Sequence, residues 1–444
     1  MSASLSMLAA SILDCLRTLC AQPSSAGRPD ELARSADLIA TLLRRLGMQV
    51  HRVDGQGPPV VIGHRAGRTP RVLLLYHRFD APPPGPWRAW SHEPYQVAER
   101  DGAVYGRGVA EGKGPLAAHM QALAALIEAE GDLPCGVTVV ADGGGLIGSP
   151  GLAAAIAAHS PLLRADACLG SVGDRAAGGA PLCYSGNKGL LQVRLRARGP
   201  AHPLPPGAAS TLPNPVWRLT WALAAIKGED EDIRIPGFYD SVEGPSREEN
   251  ALLRQLKLDE AGRLAAWGAA GFLFGMRGAP LVRAEVTLPT CNLSAIHLAP
   301  EGNLALLPAG AEAALDFHLV PNQQPAEIVR LIRAYLDEKG FGDVTLEALP
   351  GGYPPARTPP DDPFIRQIAA AGALVHGVLL PIAPAGAFAL PLQPFIAAHP
   401  MPCASVGAAR LDSAPFGPDE HIPLEDLARH GQLLIEVLLA LAGV

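Results

Sequence analysis

The chain has 444 residues and a formal net charge of −7, with 48% hydrophobic and 18% charged residues. This mildly acidic balance argues against a nucleic-acid partner, which would need a basic face, and the length predicts two or three domains with a sizeable core. The seven cysteines are an odd set without close pairs, which is typical of reduced thiols in a cytoplasmic protein rather than of a disulfide framework.

The N-terminal stretch does not resemble a secretion signal. Residues 1–20 are apolar, but they carry Asp14 and Arg17 and lack a basic start. Because no run approaches about 18 uninterrupted apolar residues, no membrane span is predicted. We therefore expect a soluble, cytoplasmic protein without a membrane partner.

Strands and helices alternate through the first part of the chain. Residues 71–76 (RVLLLY) and 137–141 (VTVVA) are short and apolar, as buried parallel strands are. Between them, residues 115–130 (PLAAHMQALAALIEAE) predict a helix that begins with proline. This order predicts an α/β fold with helices on both faces of a sheet.

The pattern changes near residue 190. Residues 191–198 (LQVRLRAR) alternate like a half-exposed strand, and further helices and strands follow up to about residue 346. A strand–helix–strand–strand–helix–strand set is typical of a small antiparallel α+β module. The predicted organisation is an α/β domain in two segments, 1–189 and 351–444, with an inserted α+β domain at 190–350.

Several stretches of the chain are recognisable as motifs. The longest covers residues 73–123 and contains YHRFDA and GRGVAEGKG. The others are IGSPGL (147–152), PNP (213–215), IPGFYDSV (235–242), PTCNLSAI (289–296), HLVPNQQP (318–325) and PDEHIPL (418–424). In this order they resemble the di-zinc exopeptidases and amidohydrolases that include carnosine dipeptidase, aminoacylase, carboxypeptidase G and succinyl-diaminopimelate desuccinylase. The resemblance covers nearly the whole chain, and IPGFYD points to the dipeptidase-like branch. It implies a mixed sheet flanked by helices and an inserted lid domain that also forms a dimer.

The same resemblance implies that the metal positions are replaced. Such enzymes hold two zinc ions with His, Asp and Glu ligands, and a further Glu acts as the base. Aligned on the motifs, the ligand and base positions fall on Arg78, Glu111, Gly145, Leu146, Val172 and Phe416. A lid histidine falls on Pro205, and the arginine that binds the substrate carboxylate falls on His318. Gly and Phe offer no side-chain donor and Arg cannot lose its proton to ligate, so we interpret the di-zinc site as dismantled and expect no metal cofactor.

Two rearrangements could still provide a site. His77, Asp142, Asp174 or His421 could contribute to a relocated one-metal site, although His77 should face away because consecutive strand residues alternate. Residues 143–148 (GGGLIG) also match G-x-G-x-x-G after a strand, so a dinucleotide with Asp174 as its acid, or a small anion at the helix N-terminus, stays open.

Three functions remain open. The leading hypothesis is a non-hydrolytic homologue that acts as a binding or partner subunit, as a homodimer or paired with an active homologue. The second is a metal-independent enzyme on an aminoacyl or acyl-amide substrate, and the third is a zinc-dependent dipeptidase. Candidate catalytic residues are His77, Asp80, Glu111, Lys113 and His318, and candidate residues for binding a small peptide-like ligand are Arg78, Asn214, Asn292 and His318.

One local prediction concerns what fills the vacated site. Arg78 and Glu111 fall on positions that would contact one metal ion, so their side chains should meet and neutralise each other. Arg78 could instead hold the carboxylate of a ligand.

Overall fold

The computed structural model describes residues 3–55, 57–301 and 304–443, which divide into two compact units. The first unit comprises residues 1–187, 245–287 and 356–444, and the second comprises residues 188–244 and 288–355. The predicted insert at 190–350 therefore needs one correction: residues 245–287 belong to the first unit. The buried Arg263 in this segment pairs with Glu285 and with Asp174, both of the first unit.

The secondary structure is mixed. The strands are β1 Gln49–Val53, β2 Val60–Arg65, β3 Thr69–Arg78, β4 Ala98–Arg100, β5 Ala103–Tyr105, β6 Cys135–Asp142, β7 Ala167–Gly170, β8 Cys183–Tyr184, β9 Gly186–Asn187, β10 Gly189–Arg198, β11 Thr290–Ala299, β12 Gly310–Leu319, β13 Thr345–Ala348, β14 Ala356–Arg357, β15 Ile382–Ala383, β16 Cys403–Ser405 and β17 His421–Pro423. The helices are α1 Ala3–Ala21, α2 Pro29–Arg45, α3 Lys113–Glu130, α4 Leu152–His159, α5 Pro215–Ile226, α6 Arg247–Gln255, α7 Glu260–Trp267, α8 Gly278–Thr287, α9 Pro325–Glu338, α10 Pro363–His376, α11 Gln393–Ala398 and α12 Leu424–Ala442.

The first unit is built on an eight-stranded mixed sheet in the order β1-β2-β6-β3-β7-β16-β8-β15. Its central strands β6, β3 and β7 are parallel, and β6 is buried along its whole length because helices cover both faces of the sheet. Helices α1, α3 and α12 pack together over one face, while α4 and α11 pack over the other. The α/β fold with both faces covered is confirmed.

Helix α1 is long and apolar. Within the described part of the chain, Ser4–Ala21 is the one segment that is long and apolar enough to cross a membrane. In the structure Ile12, Leu16 and Leu19 are fully buried, and the helix packs against α3 and α12. The exposed Asp14 and Arg17 pair with each other on its opposite face.

The second unit is a four-stranded antiparallel sheet in the order β11-β12-β10-β13. Strands β10 and β12 alternate between buried and partly exposed residues, as the sequence predicts. The inner face carries Val193, Leu195 and Phe317, and helices α5 and α9 cover it. The order β10, α5, β11, β12, α9, β13 is the predicted strand–helix–strand–strand–helix–strand set.

Candidate functional site

The C-terminal ends of the parallel strands β3 and β6 bring the first site residues together. Arg78 ends β3 and lies in register with Asp142, which ends β6. The chain then continues into Asp80 on one side and into the glycine turn at 143–148 on the other. A Cβ atom built on Gly145 would lie 2.6 Å from Cβ of Arg78 and 3.3 Å from Oδ1 of Asp80. The Arg78 side chain therefore passes through the space that a side chain at position 145 would need.

Arg78 and Glu111 form the predicted ion pair, in which Nη2 of Arg78 donates to Oε2 of Glu111. The two side chains are 14% and 18% exposed, so the pair is shielded but still reaches solvent. The Phe416 ring lies against the guanidinium, with its centroid 5.4 Å from Cζ of Arg78. We call Arg78, Asp80, Glu111, Gly145 and Phe416 the Arg78 cluster.

Asp80 is the most deeply buried acid of the Arg78 cluster, with 2% exposure. The backbone N–H of Leu146 donates to its Oδ2 at 2.8 Å, while its Oδ1 has no hydrogen-bond partner among the described residues. Burial, helped by the nearby Asp142 carboxylate, raises the pKa of Asp80 to about 7, although Arg78 opposes this shift. Leu146 thus contributes its backbone to the site and not its side chain.

Glu111 is held in place by Glu420, a residue for which the sequence alone predicts no role of its own. The Oε1 atom of Glu420 accepts from the N–H groups of Ala110 and Glu111, and its Oε2 accepts from Gly108 and from Arg107 at 2.9 Å. Burial raises the pKa of Glu420 to about 7 against the lowering effect of these hydrogen bonds. The loop that carries Glu111 is therefore built around one buried carboxyl group, and the PDEHIPL motif was the signal for it.

Lys113, a candidate catalytic residue, has a structural partner. Its Nζ donates to the carbonyl of Gln22 at 2.6 Å, and the side chain is 2% exposed. Burial lowers the pKa of Lys113. The residue ties the start of α3 to the segment that follows α1.

His77 faces away from Arg78, as strand alternation predicts. Its Nε2 lies 3.1 Å from Nδ1 of His119 on α3, and the His119 ring stacks on His430 of α12 at 4.6 Å. All three rings are buried, and burial lowers the pKa of His77 and His430 to about 3. We call these three residues the histidine stack; His77 lies in it and not in the Arg78 cluster.

The glycine turn uses most of its N–H groups inside the protein. Asp142 accepts from Gly144 and from the Tyr76 hydroxyl, and the carbonyl of Gly144 accepts from Ile147 and Ser149. With the N–H of Leu146 bound to Asp80, few donors remain to cradle a phosphate. Asp174, the expected ribose ligand, pairs with Arg263. The geometry does not favour the dinucleotide interpretation.

Val172, an aligned position, and His421, a candidate for a relocated metal site, have local roles in the first unit. Ser405 Oγ bonds both the N–H and the carbonyl of Val172. His421 stacks on Tyr105 at 4.9 Å, and its Nδ1 lies 2.9 Å from the carbonyl oxygen of Asp419.

Three candidate binding residues lie in the second unit. Asn214 caps helix α5 by accepting from the N–H of Val216 at 2.8 Å. Asn292, on β11, donates to Asp316 at 3.1 Å, and His318 lies on β12 with its backbone N–H near Oγ1 of Thr290. Pro205 precedes a short 3₁₀ turn at 206–210. Asn214 is thus occupied as a helix cap, while Asn292 and His318 lie on neighbouring strands.

The side chains of the Arg78 cluster do not fit a di-zinc centre. Asp80 and Glu111 offer carboxylate oxygens, but Glu111 is neutralised by Arg78, and Gly145 and Phe416 offer no donor. Among residues 3–55, 57–301 and 304–443, no three His, Cys, Asp or Glu side chains come together as a metal-binding group. The arrangement can instead hold one buried positive charge against one carboxylate.

The chain is similar in sequence to known peptidases and to a desuccinylase. The sequence profile of peptidase family M20/M25/M40 matches residues 74–440. The Cys-Gly metallodipeptidase dug1 of Schizosaccharomyces pombe is 25% identical over 324 residues, which are 69% of this chain and 68% of the relative. The cysteinylglycine-S-conjugate dipeptidase of Corynebacterium striatum is 30% identical over 48% of this chain and 44% of the relative. For the succinyl-diaminopimelate desuccinylase of Bordetella avium the identity is 29% over 50% of this chain and 58% of the relative. The chain thus spans about half the length of the last two relatives.

Solved structures share the fold along the whole chain. The metallo-carboxypeptidase Sso-CP2 of Sulfolobus solfataricus superimposes with a TM-score of 0.89 at 25% identity, covering 100% of both chains. Human carnosine dipeptidase 1 gives a TM-score of 0.87 at 20% identity, covering 99% of this chain and 98% of the other. The mixed sheet flanked by helices is therefore the architecture of these peptidases.

Proposed function

The chain belongs to peptidase family M20/M25/M40, and we propose that it is a non-hydrolytic member that acts as a binding or partner subunit. The observation that supports this most directly is the ion pair between Arg78 and Glu111, in which the Arg78 side chain runs close to Gly145. A guanidinium paired with a carboxylate supplies part of the charge neutralisation that a cation would supply. It does not supply a metal-bound water as a nucleophile.

The proposal is tested with the substrates that the names of its relatives indicate. Cys-Gly, β-Ala-His and N-succinyl-diaminopimelate are incubated with the full chain, with zinc added, and free products are measured. We expect no turnover above the uncatalysed rate. Turnover that a chelator abolishes would favour a zinc-dependent dipeptidase, whereas turnover that a chelator leaves intact would favour a metal-independent enzyme that uses the acids of the Arg78 cluster.

The partner part of the proposal concerns the second unit. Strand β11 is at one end of the sheet and pairs with β12, and its residues are mostly exposed, including Leu293 and Ile296 at 44% and 54%. On α5, Trp217 and Trp221 stack on each other and are more than half exposed. Long, exposed edge strands with apolar side chains are templates for pairing with another chain. We therefore propose a homodimer, or a heterodimer with an active homologue, through β11 and α5.

The cellular compartment is part of the same proposal. All seven cysteines of the chain are free and buried in the structure. Free thiols are typical of a reducing compartment, which supports a cytoplasmic protein.

A further inference from the structure

The guanidinium of Arg78 has more hydrogen-bonding capacity than the protein uses. A guanidinium carries five N–H donors, and the hydrogen bond to Glu111 is the one that the Arg78 side chain makes with the described residues. At 14% exposure the side chain is shielded from solvent but not closed off. Charged donors in such a setting bind anions more strongly than exposed ones do, because water competes less.

We infer that Arg78 is a receptor for the carboxylate of a ligand that also carries an apolar group, and that Glu111 is its internal competitor. This inference rests on the proposed function, since a non-hydrolytic subunit needs a residue that holds its ligand. It names the chemical class of that ligand.

The fork geometry of arginine explains why we expect the ligand group to be a carboxylate. Two parallel N–H groups of a guanidinium match the two oxygens of a carboxylate. Nη2 of Arg78 gives one N–H to Glu111, while Nη1 and Nε give none to any described residue. A ligand carboxylate can therefore join Glu111 on Arg78 or displace it.

The position of Phe416 explains why we expect the ligand to carry an apolar group next to its carboxylate. Its ring is 54% exposed although it lies against the guanidinium, so one part of the ring covers Arg78 while the rest faces solvent. A ligand whose carboxylate reaches Arg78 would bring its neighbouring carbon atoms to this ring. Burying that apolar surface adds affinity that acetate, which has a single methyl group, cannot gain.

A substitution of Glu111 distinguishes a receptor from a merely structural ion pair, because the two predict different effects on carboxylate binding. Its backbone is fixed by Glu420, so the carboxylate stays beside Arg78 and competes with any incoming anion. Glu111→Gln removes the competing charge and leaves the positive charge of Arg78 uncompensated by its partner. If Arg78 is a receptor, this variant must bind carboxylates more tightly than the parent.

The test uses three matched probes and isothermal titration calorimetry on the full chain. The probes are 3-phenylpropionate, its uncharged amide 3-phenylpropionamide, and acetate. We expect the amide to bind at least about tenfold more weakly than the acid, as the loss of a charge-assisted hydrogen bond implies, and acetate to bind more weakly than 3-phenylpropionate. Glu111→Gln should tighten the acid severalfold, and Arg78→Gln should abolish the difference between acid and amide.

Several results would overturn the inference. They are equal affinities for acid and amide, no binding of the acid at millimolar concentration, or weaker binding by Glu111→Gln in a variant whose melting temperature is unchanged. The comparison of acid with amide uses the parent protein, so it stands even where Arg78→Gln does not fold. Chelator-sensitive hydrolysis of dipeptides would refute the proposed function instead, whereas an inert protein that ignores all three probes would refute the inference alone.

Discussion

Arg78 and Gly145 occupy complementary positions, because a Cβ atom at residue 145 would lie 2.6 Å from Cβ of Arg78. Real Cβ atoms do not approach side-chain carbons so closely, so the present backbone requires glycine at 145. Because a Cβ atom is placed by the backbone, any residue other than glycine at 78 would meet the same clash. The close approach of the glycine turn to the end of β3 therefore links the two positions.

This link predicts the behaviour of Gly145→Ala. The added methyl group overlaps Cβ of Arg78, and relief requires a shift of β3 or of the glycine turn, so we expect a loss of about 1–3 kcal/mol in the free energy of unfolding. Denaturant titration measures this loss. In an Arg78→Gly background, which lacks the opposing Cβ, the same substitution should cost less.

Gly178→Ala provides the matched control, since nothing lies within 4 Å of a Cβ at that position. We expect it to stay within about 0.5 kcal/mol of the parent. Equal effects of the alanine substitutions at 145 and 178 would contradict the described packing of Arg78.

The ion pair predicts a second stability difference. Arg78→Ala leaves Glu111 shielded without its partner, and at exposures of 14% and 18% the cost should lie between that of a surface pair and that of a buried one. We expect a loss of about 1–3 kcal/mol in the free energy of unfolding.

The control for this pair is Arg17→Ala. Arg17 and Asp14 are 54% and 78% exposed, and their separation should cost about 0.5 kcal/mol or less. If Arg78→Ala proves as mild as Arg17→Ala, the pair does not neutralise a shielded charge.

The histidine stack predicts a pH dependence of stability. Burial lowers the pKa of His77 and His430 to about 3, and that of His119 falls well below 6.5, so the folded protein keeps these rings neutral. The unfolded chain takes up protons below about pH 6.5, so each histidine removes about 1.4 kcal/mol of stability per pH unit as the pH falls from 6.5 towards 3.

His430→Phe isolates this effect, because phenylalanine keeps an aromatic ring against His119 but cannot titrate. The groups that face His430 are His119, His376 and Arg175. Between pH 6 and pH 4 the stability of the variant should fall less steeply than that of the parent, by about 1.4 kcal/mol per pH unit. The exposed His202→Gln serves as the control. Parallel pH profiles for His430→Phe and the parent would show that the stack does not remain neutral.

The proposed dimer predicts the effect of a charge on strand β11. Ile296 is 54% exposed there, and glutamate at this position would disfavour pairing with a second strand. We expect a dimer in light scattering at micromolar concentration for the parent and a monomer for Ile296→Glu. Leu374→Glu, at a position 72% exposed on α10, should leave the dimer intact. A monomeric parent chain would contradict the proposal.

The parts of the fold that depend on local patterns could be predicted from the sequence. The apolar strand at 137–141 and the proline-led helix at 115–130 appear as β6 and α3, because continuous apolar runs and helix starts depend on neighbouring residues. The Arg78–Glu111 pair was also predictable, since the resemblance implies that both residues stand at positions that would contact one metal ion.

Other features depend on contacts between distant segments. The histidine stack joins β3, α3 and α12, and no local spacing relates His77 to His430. The role of Glu420 requires the loop at 107–111 to fold onto it from more than 300 positions away in the chain. The sequence alone places residues 245–287 in the insert, because no local pattern reveals that Arg263 pairs with Asp174.

Zinc content tests the central claim most directly. The full chain is purified without chelator, dialysed against buffer containing zinc and then against zinc-free buffer, and zinc is measured per chain by elemental analysis. Because Arg78 fills the site and Gly145 and Phe416 offer no donor, we predict far less than one zinc ion per chain. Near-stoichiometric zinc that survives dialysis, and that is lost in Glu111→Gln, would contradict the account.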